Sequence, residues 1–152
     1  MTAYFDTSVI TKWYLPEPDS GAALRTRARF ALPVVLTHLH RVELVTAWHL
    51  KVFRNEIPRG IVELALGHVE ADVVAGLWEL PVYDLVDVYS QAESISRQHT
   101  AMLGARSLDV LHVAAAIILA ASAFITDDDR QARLARAAGL RVTMLPVRGR
   151  QR

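Results

Sequence analysis

The sequence predicts an α/β fold, a parallel sheet with helices packed on both faces. Short apolar runs alternate along the chain with longer segments whose apolar residues recur at helical spacing. Strand following helix throughout favours parallel pairing through crossovers. The chain has 152 residues, 52% of them hydrophobic, which suits one domain with one core.

Thr2 to Asp6 is a run of β-formers ending in Asp-Thr-Ser, a buried first strand turning into a helix. Pro16 and Pro18 interrupt that helix, and Asp19 or Ser20 caps another through about Phe30. Pro33 opens the second strand, Val34-Val35-Leu36-Thr37. Apolar residues at 39, 42, 45, 50 and 53 mark a helix from Leu39 to Phe53. Asn55 and Pro58 break it, and a further helix runs from about Arg59 to Leu77. Pro81 to Leu85 reads as the third strand. A helix from about Asp87 to Leu103 stops at Gly104, and Ser107 caps a strongly apolar helix from Leu108 to Ala121. Ala123 to Thr126 is the fourth strand. Asp127, Asp128 and Asp129 precede a helix ending at Gly139, and Arg141 to Leu145 is the last strand. The expected division is a domain over 1–147 and a basic tail over 148–152.

Composition narrows the chemistry. Without cysteine there is no disulfide and no thiolate metal site. No basic segment leads into an apolar one at the N-terminus, so the expectation is a cytoplasmic protein without a secretory signal. Val113 to Thr126, the longest apolar stretch, is too short to span a bilayer. The net charge is only +1, but Lys12 and Lys51 are the two lysines among 17 cations. Arginine forks match phosphate bidentately, although a GC-rich coding sequence also enriches arginine. His38, His40 and His49 fit no zinc spacing. No P-loop, GxSxG or GxGxxG is present.

Four acidic residues carry the functional signal. Asp6 and Asp128 fall at or just beyond the ends of strands, where open parallel sheets place their sites. Each also suits a helix N-cap. Asp109 lies at the mouth of a helix that is apolar nearly all round, where a charge needs a partner. Glu43 sits among Val42, Leu44 and Val45 with no Lys or Arg three or four residues away. Two carboxylates about 4 Å apart repel by roughly 4 kcal/mol at an effective dielectric near 20. Four in one cleft therefore recruit a cation or take up protons. An all-oxygen set suits Mg²⁺, and Mn²⁺ is compatible with it. Ser8 and Thr126 are hydroxyls placed to orient ligands. Arg25, Arg29, Arg106 and the Arg148-Gly149-Arg150 tail are candidates for phosphate contact. Trp48 fits core packing. Trp13, Tyr14 and Leu15 read either as core or as a groove for a partner helix.

These motifs resemble the PIN-domain ribonucleases, in particular the VapC toxins of toxin–antitoxin pairs, over nearly the whole chain. D-T-S resembles the first motif and places Asp6; R-V-E-L resembles the second and places Glu43. L-D-V-L-H-V-A-A-A resembles the third, with Asp109 and His112 on one helix face. F-I-T-D-D-D-R-Q resembles the fourth, in which T-x-D selects Thr126 and Asp128; Asp127 and Asp129, not two past Thr126, are expected to point elsewhere, although either could share the role of Asp128. The resemblance implies a three-layer α/β/α domain with about five parallel strands. It also implies Mg²⁺- or Mn²⁺-dependent endonuclease action on RNA, a VapB-type antitoxin partner and a homodimer. The alternatives are a catalytically silent module that binds RNA or protein, and a phosphatase or DNA nuclease using the same acids.

Overall fold

Alternate residues of each strand feed opposite sides of the sheet, and that alternation builds the three layers. In the computed structural model, which describes residues 2–146, β1 (Ala3–Phe5) sends Ala3 and Phe5 to one side and Tyr4 to the other. β2 (Val34–Val35) and β4 (Ala123–Thr126) divide likewise: Val34 and Ile125 join the first core, Val35 and Phe124 the second. The first core is covered by α1 (Thr7–Tyr14), α2 (Ser20–Arg27), α3 (His38–Phe53) and α4 (Arg59–Val74). The second is covered by α5 (Leu85–Ile95), α7 (Ser107–Ile118) and α8 (Asp129–Ala137). Between α5 and α7, a π-helical turn over Ser96–Thr100 leads into the short α6 (Ala101–Leu103). Gly104 ends α6 with φ +64°, as its place in the sequence predicts.

All the strand pairs are parallel. β4 lies between β1 and β5 (Val142–Met144), and β2 pairs separately with β3 (Trp78–Glu79). The expected five strands thus form a ladder of three and a ladder of two. On the β2 side of β1, the Phe5 carbonyl meets His40 Nε2 at 2.9 Å, so a ring nitrogen stands where a neighbouring strand would donate.

Two expectations are corrected, and one reading left open is decided for the core. The third strand is Trp78–Glu79, not Pro81 to Leu85. Backbone donors of β2 select it: Val34 N–H reaches Leu77 O at 3.0 Å and Leu36 N–H reaches Glu79 O at 2.8 Å. Asp84 instead caps α5 by accepting from Val86 N–H at 2.8 Å. Ser107 is the first residue inside α7, whose N-cap is Arg106. Trp13 and Tyr14 form no open groove. Trp13 stacks on Trp78 and meets Phe5 edge-on, while Tyr14 takes a hydrogen bond from Trp78 and gives one to Asp72. Trp48 is buried in the first core, as expected.

Arg148, Gly149 and Arg150 lie outside the described residues. No helix among the described residues is long and apolar enough to cross a membrane. Because the strands are parallel, their carboxyl ends share one edge, and Asp6, Thr37 and Asp127 each follow a strand there. Ile125 is fully buried on the central strand. Ile125→Ala should destabilise the fold by about 2–5 kcal/mol, read from chemical denaturation.

Candidate active site

Asp6 stands at the N-cap of α1, yet its side chain makes no capping hydrogen bond. The carboxylate turns to the cleft instead. It is 7% exposed and gathers donors on one oxygen. Ser8 Oγ lies 2.5 Å from Asp6 Oδ2, and the Thr126 hydroxyl donates to the same atom at 3.2 Å. Gln131, 2% exposed, completes the set. With its amide nitrogen facing the carboxylate it donates to Oδ2 at 2.8 Å and to Oδ1 at 3.2 Å. Burial raises the Asp6 carboxyl above the usual range; His112 and Ser8 oppose this, while Glu43 and Asp127 add to it.

Glu43 projects from α3 into the same cleft. Thr7 Oγ1 donates to its Oε2 at 2.6 Å, and His112 Nε2 lies against that oxygen too. Burial pushes this carboxyl up, but the His112 hydrogen bond and charge, with Thr7, outweigh it and leave it below the ordinary value. At the start of α7, Asp109 Oδ2 accepts from Arg106 N–H at 3.1 Å. Asp128 caps α8 through Oδ1, which accepts from Arg130 N–H at 2.7 Å and Gln131 N–H at 3.1 Å.

A common pattern emerges from these four. In each, one carboxylate oxygen is held by the protein, while among the described residues the other has at most the 3.2 Å Gln131 contact. All four line one cavity of about 440 Å³, together with Asp127 and His112. Among the described residues, none of the four lies within ion-pair distance of an arginine or lysine.

Asp127 departs from expectation by joining this cavity. Lys12 draws it in, with Nζ 2.6 Å from Asp127 Oδ2 and 3.4 Å from Glu17. Ser8 Oγ is 2.6 Å from Asp127 Oδ1. Burial raises the Asp127 carboxyl, and Lys12 and Ser8 overcompensate, leaving it lowered. One Ser8 hydroxyl thus stands between the Asp6 and Asp127 carboxylates. Asp129 stays exposed, as expected.

Residues 3–137 match the PIN domain family. The chain belongs to the PIN-domain family. Its fold is similar to that in the crystal structure of FitAcB from Neisseria gonorrhoeae, with a TM-score of 0.68 over 93% of this chain and 96% of that one at 20% identity. No curated protein matches the chain. PIN domains are generally nucleases, which supports a nuclease-type hydrolase at the level of the family.

Among the described residues of this PIN domain, no three His, Asp or Glu side chains converge as a ready-made metal cage. The donor set nevertheless fits a hard cation. It is all carboxylate oxygen, and among the described residues each group has an oxygen to spare and none pairs with an arginine or lysine. Mg²⁺ is commonly held by one or two carboxylates, with waters and substrate phosphate completing its shell.

Arg25, Arg29 and Arg106 do not line the PIN-domain cavity; of the three, Arg106 is tied to it, through its N–H to Asp109. Sequence reasoning missed Arg130 and Arg133, which line an open trough that shares Asp127 and Asp128 with the cavity. Thr-Asp-Asp-Asp-Arg-Gln already held Arg130 and Gln131, and helical spacing from Arg130 reaches Arg133.

A raised carboxyl pKa means that the folded state binds the proton more tightly than the unfolded chain. That contribution is present at low pH and is lost as pH rises through the folded value. Asp6→Asn should therefore raise the Tm of the metal-free protein near pH 7, by about 2–4 °C per kcal/mol recovered, in a thermal melt. The same sign governs metal binding, which needs the ionised carboxylate. The Tm increase produced by Mn²⁺ should grow as pH rises through the raised Asp6 value and vanish in Asp6→Asn.

Proposed function

We propose that this PIN domain is a Mg²⁺- or Mn²⁺-dependent endoribonuclease, the toxin of a VapBC-type pair. The observation that carries this is the set of four carboxylates around one cavity, which among the described residues each have an oxygen to spare and no arginine or lysine partner. A surface built for stability would pair such acids with nearby cations. The motif resemblance and the family membership support the same reading.

Asp6, Glu43, Asp109 and Asp128 would hold the ion. When bound, it lowers the pKa of a water and neutralises charge on the phosphate. The chain's own residues do the rest. Ser8, Thr126 and Gln131 hold Asp6 through Oδ2 and leave Oδ1 toward the ligand role. Thr7 and His112 hold Glu43 by Oε2. Arg130 and Arg133, beside the shared aspartates, take phosphates flanking the cleaved bond, with Arg106 on the Asp109 side and Arg25 and Arg29 as more distant contacts. Residues 1–147 act as the nuclease unit, and the 148–152 tail adds basic charge to it.

The proposed partners are a VapB-type antitoxin and a second copy of the chain. Exposed apolar side chains on α3 and α4 (Val42, Val45, Phe53, Leu64) and on α5 (Leu85, Val86, Tyr89) support protein contacts. The proposed location is the cytoplasm.

Purified protein incubated with RNA, DNA and a phosphomonoester, with Mg²⁺ or with chelator, tests this reading. RNA alone should be cut, and only with metal. Asp6→Asn and Asp109→Asn should each lower cleavage by about 100-fold or more without unfolding the protein. Parent-like cleavage by either variant, or cleavage in chelator, would refute it. RNA bound without cleavage identifies the silent module instead. Arg130→Ala and Arg133→Ala should each reduce the slope of log Kd against log salt for single-stranded RNA by about 0.7.

A further inference from the structure

Behind Glu43 runs a buried polar relay that reaches across both core layers. Tyr4 of β1 is fully buried, and its hydroxyl lies 2.8 Å from Nδ1 of His112 on α7. His112 is 1% exposed, and its other nitrogen, Nε2, lies against Glu43 Oε2. Thr7 Oγ1 is 3.3 Å from that nitrogen and donates to the same Glu43 oxygen. The donors fix the ring. A carboxylate at Nε2 requires N–H there, while Nδ1 pairs with the Tyr4 hydroxyl. His40, with its ring centroid 4.9 Å from that of His112, is held in one tautomer of its own. Its Nδ1 accepts from Thr37 N–H at 2.9 Å, so Nε2 donates to the Phe5 carbonyl.

The relay has a direction. Tyr4 and His112 are sealed in the core, while the Glu43 side chain keeps 21% of its surface exposed at the cavity. Both hydrogen-bond donors to Glu43 converge on Oε2; Oε1 receives none from the described residues. A histidine serving packing alone would not need its two nitrogens aligned between a buried phenol and one oxygen of a cleft carboxylate. We infer that His112 is a positioning residue for Glu43, held in its ring orientation by Tyr4, and that it fixes which Glu43 oxygen is offered to a divalent cation. This rests on the reading of the cleft as a cation site. Groups behind a metal ligand typically contribute 10- to 100-fold in metal affinity.

The test is calorimetric titration of Mn²⁺ into the metal-free full chain, with no RNA present. His112→Ala should weaken Mn²⁺ binding by about 10- to 100-fold, His112→Gln, which keeps an N–H donor, should recover most of it, and Tyr4→Phe should weaken it by a smaller factor. In a Glu43→Gln background, His112→Ala should cause no further loss, because its effect passes through Glu43. Circular dichroism identifies the folded variants; if His112→Ala does not fold, Tyr4→Phe decides. Folded variants that bind Mn²⁺ as the parent does, or equal losses with and without Glu43, would overturn the inference while leaving the cation site standing. A parent that binds no Mn²⁺ would instead overturn the reading of the cleft and the inference with it.

Discussion

A carboxylate held out of water with no cation beside it works against folding, and this cleft is organised around such a group. Asp6 is buried among neutral donors, and burial lifts its carboxyl toward the protonated form. Glu43, Asp109 and Asp128 share its cavity and also lack an arginine or lysine partner among the described residues. At an effective dielectric near 20, each close pair of such charges opposes the fold by roughly 4 kcal/mol at about 4 Å. The chain tolerates this because each carboxylate is anchored on one side by hydroxyl, amide, imidazole or backbone N–H. What is left exposed is a set of oxygens suited to a hard cation.

The fold delivers that set economically. Parallel strands end at one edge, so Asp6 after β1 and Asp128 after β4 arrive together without long loops. The helix start at Asp128 both caps α8 and brings Gln131 back onto Asp6. Lys12 neutralises Asp127 from below, and through Ser8 this pair touches the same carboxylate. Asp6 and Glu43 are thus each supported from behind, Asp6 by a hydroxyl and amide cluster and Glu43 by a histidine and a phenol.

Much of this was legible in the sequence because it is local. A charge interrupting an apolar run, or closing one, marked Asp6, Glu43, Asp109 and Asp128, and apolar periodicity placed the helices that carry them. Gly104 announced its own helix stop. What was hidden depends on contacts between distant segments. Tyr4 meets His112 across 108 positions and Lys12 meets Asp127 across 115, and no local pattern encodes either. The third strand was misplaced for a related reason. Pro81-Val82-Tyr83 has the better β composition, but the donors of β2 select the two residues that fit its register. Asp127 was expected to point elsewhere because the position two past Thr126 is Asp128, and no local pattern shows that the lysine of α1 draws Asp127 to the cavity.

The most direct measurement of the central claim is anomalous diffraction from crystals of the full chain grown with Mn²⁺. The account predicts a peak inside the cavity at about 2.1 Å from Asp6 Oδ1 and from an unanchored oxygen of at least one other of the four acids. No peak there at saturating Mn²⁺, or acids found drawn onto arginines of the chain, would contradict it.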